Sequence, residues 1–228
     1  MEIPIVRNIL EANEAEAERL RENFARTGIL VLNLISGPGA GKTTLLEKTL
    51  AALPRELRTA VIEGDQQTDH DARRIAATGA RCVQINTGAG CHLNSSMVAA
   101  ACEYLDLSAV DALFIENVGN MVCPVGFNLG EDAKIALLSV AEGDDKPAKY
   151  PSLFQCARAM LLTKIDLLPH VDFDQAKALA SAKVLNADLA VFSVSCRDGY
   201  GLEPWIDWIV GQWRAKRAAL ADRGEKHV

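Results

Sequence analysis

At 228 residues the chain is long enough for one well-buried core, and 49% hydrophobic with 24% charged residues is the composition of a globular protein rather than of extended disorder. A formal net charge of -6, with no basic stripe, argues against a nucleic-acid-binding surface, and no apolar run reaches the length of a membrane span. Six cysteines are scattered through a chain too large to need stapling, so they read as reduced thiols of a cytoplasmic protein.

Residues 8–27 are rich in Glu, Ala, Arg and Leu, and Leu10, Ala17, Leu20 and Phe24 give part of a helical stripe that Gly28 ends. Residues 1–28 are therefore expected to be an N-terminal helix laid on a single domain over 29–228. The apolar run 30–35 reads as a buried strand, the Gly-rich turn Ser36-Gly-Pro-Gly-Ala-Gly-Lys-Thr-Thr44 follows, and a helix starts there and stops before Pro54. This passage has the chemistry of a phosphate cradle. Gly37, Gly39, Ala40 and Gly41 let backbone N–H groups point at phosphate oxygens, Lys42 reaches the β- and γ-phosphates, and the Thr43 hydroxyl binds Mg²⁺. Thr44 continues the helix N-terminus, which favours the negative charge. The strict pattern has Gly where this chain has Ser36, a departure the sequence leaves unexplained.

Residues 58–63 read as the second strand, ending in Glu63-Gly64-Asp65, and a short helix near 69–78 is closed by Gly79. A strand at 81–85 leads into the loop 87–93, which carries Cys91 and His92. Asn94 caps a helix whose Met97, Val98, Ala101 and Leu105 share one face. A strand at 109–115 is followed by Glu116, Asn117, Val118 and Gly119, and the nearly continuous apolar run 134–140 is typical of a parallel strand covered on both faces. The stretch 141–151 reads as a surface loop. A strand at 159–163, a helix at 174–185, a strand at 188–194 and a final helix from about 203 complete the chain. In that helix Trp205, Trp208, Ile209 and Trp213 recur at helical spacing, a stripe expected to pack in the core. Strands alternating with helices predict an α/β P-loop fold, a doubly wound and mainly parallel sheet with helices on both faces.

In such sheets ligands sit beyond the carboxyl ends of the strands, and the polar motifs follow their strands accordingly. Glu116 ends a strand, where a carboxylate holds the Mg²⁺ shell, and Gly119 can offer its N–H to a γ-phosphate. Asp65 is a second candidate, for the metal shell or for positioning attacking water. Asp69, His70 and Asp71 read as a solvated helix start, and Arg73 and Arg74 are the available candidates for an arginine finger. Residues 160–166, with Thr163, Lys164 and Asp166, resemble the guanine-reading motif of GTPases, Thr standing where many have Asn. Asp166 accepts from both N1–H and the exocyclic amine of guanine, a pairing adenine cannot match, and Lys164 lays its methylenes against the base. Ser195 and Cys196 resemble the last GTPase motif, whose backbone N–H groups face the guanine oxygen. Four motifs in this order, each after a strand, point to GTP.

Cys91, His92 and Cys123 form a donor set that suits Zn²⁺ or Ni²⁺ and leaves a coordination position open. Spacing alone leaves two readings, a metal site or buried thiols packed as small hydrophobes. Position favours the first, because Cys123 lies four residues beyond Gly119 in the loop 117–124. Cys82, Cys102, Cys156 and Cys196 are expected to be structural.

The stretches 37–44, 63–69, 88–93, 116–124 and 163–166 together resemble HypB, the family of hydrogenase nickel-incorporation GTPases within the SIMIBI class, over nearly the whole chain from about residue 28. The resemblance implies hydrolysis of GTP, a nucleotide-gated homodimer, and an interface metal site onto which Cys91, His92 and Cys123 map. It also implies two partners, the companion nickel chaperone HypA and, through it, the hydrogenase large subunit. The chain carries neither the N-terminal Cys-x-x-Cys nor the His-rich tract of some members, which leaves those three residues as the one evident metal site. The competing readings are a urease-type nickel GTPase, whose motif is usually Cys-Pro-His, and a metal-binding module with a merely structural nucleotide site.

Overall fold

Seven parallel strands run through the centre of the computed structural model, which describes residues 9–65 and 69–225. In chain order they are β1 (Leu30–Ser36), β2 (Thr59–Asp65), β3 (Arg81–Asn86), β4 (Ala112–Glu116), β5 (Ala133–Ser139), β6 (Ala157–Thr163) and β7 (Ala190–Ser193). The spatial order is β3-β2-β4-β1-β5-β6-β7, so the chain turns outward in opposite directions on the two sides of β1. A crevice opens beyond β1 at such a reversal, where an open α/β sheet holds its ligand. The mainly parallel sheet read from the sequence is parallel at every described pairing.

The helices are α1 (Ile9–Thr27), α2 (Lys42–Ala52), α3 (His70–Ala76), α4 (Ser95–Cys102), α5 (Lys146–Lys149), α6 (Pro151–Cys156), α7 (Gln175–Leu185) and α8 (Leu202–Glu225). Period-two alternation sends the side chains of β1 to both faces. Leu30, Leu32 and Leu34 pack with Leu45 and Leu46 of α2 and with Trp205 and Ile209 of α8, whereas Val31 joins Leu20 and Phe24 of α1 and Val98 of α4. The tryptophan stripe is core packing as expected: Trp205 is fully buried, stacks on Trp208, and donates its Nε1–H to Thr49 Oγ1 at 2.9 Å.

Four expectations need correction. Leu10 is 47% exposed, whereas Ala17, Leu20 and Phe24 of the same α1 stripe are buried. The stretch 141–151 is not a plain loop, since α5 forms within it and α6 starts at its end, with Pro147 and Pro151 in their first turns. Proline lacks an N–H that the first turn does not use, so there it starts a helix instead of breaking one. Strand β4 begins at Ala112, later than expected, because residues 107–109 close a 3₁₀ turn in which Asp106 accepts from the Ser108 N–H. Leu105 is buried beside α4 but lies beyond its last residue. The first eight residues of the expected N-terminal helix lie outside the described residues.

Helix α1 is fastened through Asn13. Its Nδ2 donates to the Asn128 carbonyl at 2.8 Å, its Oδ1 accepts from the Ser95 N–H at 2.8 Å, and Ser95 Oγ donates to its carbonyl at 2.8 Å. Asn13→Ala leaves a buried donor and a buried acceptor unsatisfied, and should lower stability by about 1–3 kcal/mol. Urea unfolding measures this, and an unchanged midpoint would show that α1 is held elsewhere.

Candidate nucleotide and metal site

The passage from β1 to α2 is built by its glycines and one serine. Gly41 sits at the start of α2 with φ 95°, a left-handed conformation that a side chain disfavours. Lys42 and Thr43 are buried in the first turn. Lys42 Nζ donates to Ser36 Oγ at 3.0 Å, and Ser36 Oγ donates to the Gly37 carbonyl at 2.7 Å. The residue that breaks the strict pattern therefore holds the lysine along its own loop. Burial pushes the Lys42 pKa down, against the pull of Glu116 and Glu142. Gly119 packs on this loop from the end of β4: a Cβ there would meet Pro38 Cα at 2.9 Å, so the close approach requires glycine.

Beside the cradle the acids converge. Thr43 Oγ1 donates to Glu116 Oε1 at 2.8 Å, and Glu116 lies opposite Glu63 in the β2–β4 ladder. Glu63, Asp71 and Glu116 each bring a carboxylate oxygen within 4.8 Å of the others. Burial pushes the pKa of Glu63 up to about 8 and that of Glu116 up to about 7. One oxygen of each glutamate is buried without a hydrogen-bond partner among the described residues. Buried acceptors with nothing to pair are the donor chemistry a hard divalent cation takes, so the residues fit Mg²⁺.

Glu63 is the residue that sequence reasoning missed. The available signal was its place at the end of the predicted strand 58–63, where Glu116 stands on the strand 109–115. Asp69 and His70 are exposed at the start of α3 as expected, and Asp71 is partly exposed but is also brought to the two glutamates, which its reading as a helix start alone did not include. Asp65 ends β2 outside this trio, and its carbonyl accepts from the Thr87 N–H at 2.8 Å, tying β2 to the loop that carries Cys91. Residues 66–68, in the middle of the stretch 65–71, lie outside the described residues. Both arginine-finger candidates are engaged within the chain: Arg73 pairs with Asp69, and Arg74 donates to Glu47 and to Thr44 Oγ1 at 2.9 Å.

A cavity of about 230 Å³ opens on the other side of the cradle, lined in part by Gly41, Thr44, Thr163, Lys164, Asp166 and Cys196. Thr163 Oγ1 donates to the Ala40 carbonyl at 2.7 Å, and Lys164 Nζ donates to the Gly39 carbonyl at 2.7 Å. Threonine in place of asparagine thus binds the end of β6 to the cradle. Lys164 is the one non-glycine residue described with positive φ, at 58°. Ser195 does not line the cavity, and its backbone N–H is donated to the Tyr200 carbonyl, which leaves Cys196 as the nearer of the two motif residues.

On the cradle's opposite flank, donor atoms of Cys91, His92 and Cys123 all lie within 4.8 Å of one another. His92 stacks on Phe127 with centroids 3.9 Å apart, and its Nδ1 is 3.6 Å from Cys91 Sγ. Asn120 folds the second loop by accepting from the N–H groups of Val122 and Cys123, and its Nδ2 approaches Cys123 Sγ at 3.5 Å. Burial lowers the His92 pKa, which favours the neutral imidazole that ligates metals. Two sulfurs and a nitrogen at this spacing are a fitting set for Ni²⁺ or Zn²⁺. All six cysteines are free. Burial pushes Cys82 up to about 12 and Cys102 up to about 11, in keeping with inert thiols, whereas Cys156 is exposed, against expectation.

A family model for the CobW/HypB/UreG nucleotide-binding domain matches residues 30–193. The chain is 52% identical to the hydrogenase maturation factor HypB of Azotobacter chroococcum mcd 1, over 96% of this chain and 72% of that protein. Among solved structures, HypB from Helicobacter pylori in complex with nickel superimposes with a TM-score of 0.85 at 39% identity, covering 90% of this chain and 96% of that one. Hydrogenase maturation factor HypB from Archaeoglobus fulgidus superimposes with a TM-score of 0.83 at 34% identity, covering 89% of this chain and 99% of that one.

Proposed function

The chain belongs to the CobW/HypB/UreG nucleotide-binding family, among the HypB hydrogenase maturation factors, and from that premise we propose a GTP-hydrolysing nickel metallochaperone that assists nickel insertion into [NiFe]-hydrogenase. The observation that carries this reading is a juxtaposition. The Cys91, His92 and Cys123 donors converge at the end of the same β4 segment whose Glu116 and Gly119 pack on the phosphate cradle.

In this reading Lys42 neutralises the β- and γ-phosphates, and the amides from Gly37 to Thr44 cradle them. Thr43 and Glu116, with Asp65 and now Glu63 and Asp71 as neighbouring acids, are the residues that would hold Mg²⁺. The ion, when bound, supplies charge neutralisation at the phosphates. The Gly119 N–H faces the γ-phosphate, so its arrival or loss moves the segment 116–124. Asp166 selects guanine, Lys164 and Thr163 frame the base, and the Ser195–Cys196 turn closes over it. The 116–124 segment, repositioned by GTP, closes a homodimer in the cytoplasm and sets the geometry around the thiolates. Hydrolysis relaxes that geometry for transfer of nickel, with zinc as the competing ion, to the HypA chaperone and the hydrogenase large subunit. Among the described residues no helix is long and apolar enough to cross a membrane.

Titration with nickel in the presence of GDP and of a non-hydrolysable GTP analogue tests the proposal. The two states should differ in affinity. Cys91→Ala should weaken binding by about tenfold or more in both, since one strong thiolate donor of three is lost. Equal affinities in the two states would remove the gating, and undiminished binding by the variant would remove the site.

A further inference from the structure

The side chain that joins the two loops of the metal site is neither a metal donor nor a phosphate contact. Asn117 follows Glu116 at the end of β4 and is only 1% exposed. Its Oδ1 accepts from two backbone amides, the Leu93 N–H at 3.2 Å and its neighbour Val118 N–H at 3.0 Å. Leu93 directly follows His92, and Val118 directly precedes Gly119. One carboxamide oxygen therefore holds the backbone beside a metal donor and the backbone beside the γ-phosphate contact.

The other end of the carboxamide is fixed. Asn117 Nδ2 donates to Asn33 Oδ1 at 3.2 Å, and Asn33 Nδ2 donates to Glu131 Oε1 at 3.2 Å. Glu131 in turn pairs with Lys134 at 2.9 Å, both nearly buried. Asn33 is fully buried in β1, the strand that feeds the phosphate cradle. The chain Glu131, Asn33, Asn117 thus sets which end of each amide accepts, because turning Asn33 over would set its oxygen against the Glu131 carboxylate and its amine against the Asn117 amine. At such burial an amide N–H left without its acceptor is costly, so the Leu93 backbone either follows Asn117 when 116–119 shifts or loses its only described acceptor.

We propose that Asn117 is the positioning residue that transmits the nucleotide state from Gly119 to the Cys91–His92 loop. The inference rests on the nucleotide-gated reading of the metal site. Its chemistry requires two accepting positions and a donor at one point. Asparagine supplies both, aspartate supplies only the acceptors, and alanine supplies neither.

The test compares nickel affinity with GDP and with a GTP analogue in the wild type, in Asn117→Ala and in Asn117→Asp. The nickel–thiolate absorption band serves as a second readout. A wild-type difference of about fivefold or more, the usual scale of coupling between sites, should fall to within about twofold in Asn117→Ala. The absorption band should then be the same with either nucleotide. GDP affinity should stay within about threefold of wild type, since Asn117 makes no phosphate or base contact, and nickel should still bind, since all three donors remain. Should the alanine variant fail to fold, Asn117→Asp keeps an acceptor for the Leu93 N–H but turns a second acceptor onto Asn33 Oδ1 in place of the donor, and it should show a reduced, non-zero difference. A wild-type difference that persists undiminished in the folded variants overturns the role of Asn117 alone. A wild type with no difference removes the gating and this role together.

Discussion

Lys42→Ala is expected to lower GTP turnover by about a hundredfold or more, because phosphoryl transfer depends on positioned charge rather than on covalent help from the protein. The Lys42 ammonium is buried at the mouth of the cradle and is held there by Ser36 Oγ at 3.0 Å. Burial already disfavours its charge, so removing it should not weaken the fold, and loss of activity would be separable from loss of structure. Single-turnover phosphate release at saturating GTP is the measurement, with a thermal melt beside it. Wild-type turnover in a folded variant would mean that the cradle does not serve hydrolysis. Ser36→Ala is an informative companion. It leaves the charge and removes only the hydroxyl, so it should act more mildly than Lys42→Ala.

Strand β1, the cradle and α2 were legible because an apolar run, a Gly-rich turn and a helix that stops before Pro54 follow one another locally, and each signal depends on neighbours in the chain. Asp166, Thr163 and Lys164 were legible by resemblance. The part Thr163 plays was not, because it is a hydrogen bond to Ala40, 123 residues away. Glu63 was missed for a related reason. An acid at a strand end is a weak signal by itself, and it acquires meaning when the parallel register places Glu63 opposite Glu116. The solvated helix start holds for Asp69 and His70, but the approach of Asp71 to the two glutamates depends on α3 packing on α2 through Arg74, Thr44 and Glu47 and is not visible in the sequence. The short helices α5 and α6 were hidden by prolines that read as loop formers in composition and as helix starters in position.

The same distinction bears on the candidate metal donors. Spacing left Cys91 and His92 ambiguous with respect to Cys123. The structure brings the three together because β3 and β4 end on the same edge of the sheet, with only β2 between them. Asn117 then places the backbone next to His92 on the shoulder of the β4 exit. A metal set divided between two strand exits, one of them touching the phosphate cradle, is an arrangement in which a small shift of one loop changes donor geometry. A set carried on a single hairpin would move as a unit and feel the nucleotide little.

Asp166→Asn should weaken GTP binding by about a hundredfold, the loss expected for two hydrogen bonds to a charged acceptor at about 1.5–3 kcal/mol each with partial replacement by the amide. The carboxylate offers two acceptors to the N1–H and exocyclic amine of guanine. Asparagine keeps one acceptor and turns the other position into a donor, which faces the amine of guanine unfavourably. Xanthine carries a carbonyl where guanine carries that amine, so the variant matches xanthosine triphosphate donor for acceptor at both positions. The frame of the cavity should survive the change, because Thr163 and Lys164 remain bonded to the carbonyls of Ala40 and Gly39. Displacement of a fluorescent GDP by GTP, xanthosine triphosphate and ATP gives the order of preference directly. GTP should lead in the wild type and xanthosine triphosphate in the variant, with ATP weak in both. An order that did not change would place the base outside the Asp166 cavity and detach the guanine reading from the geometry that supports it.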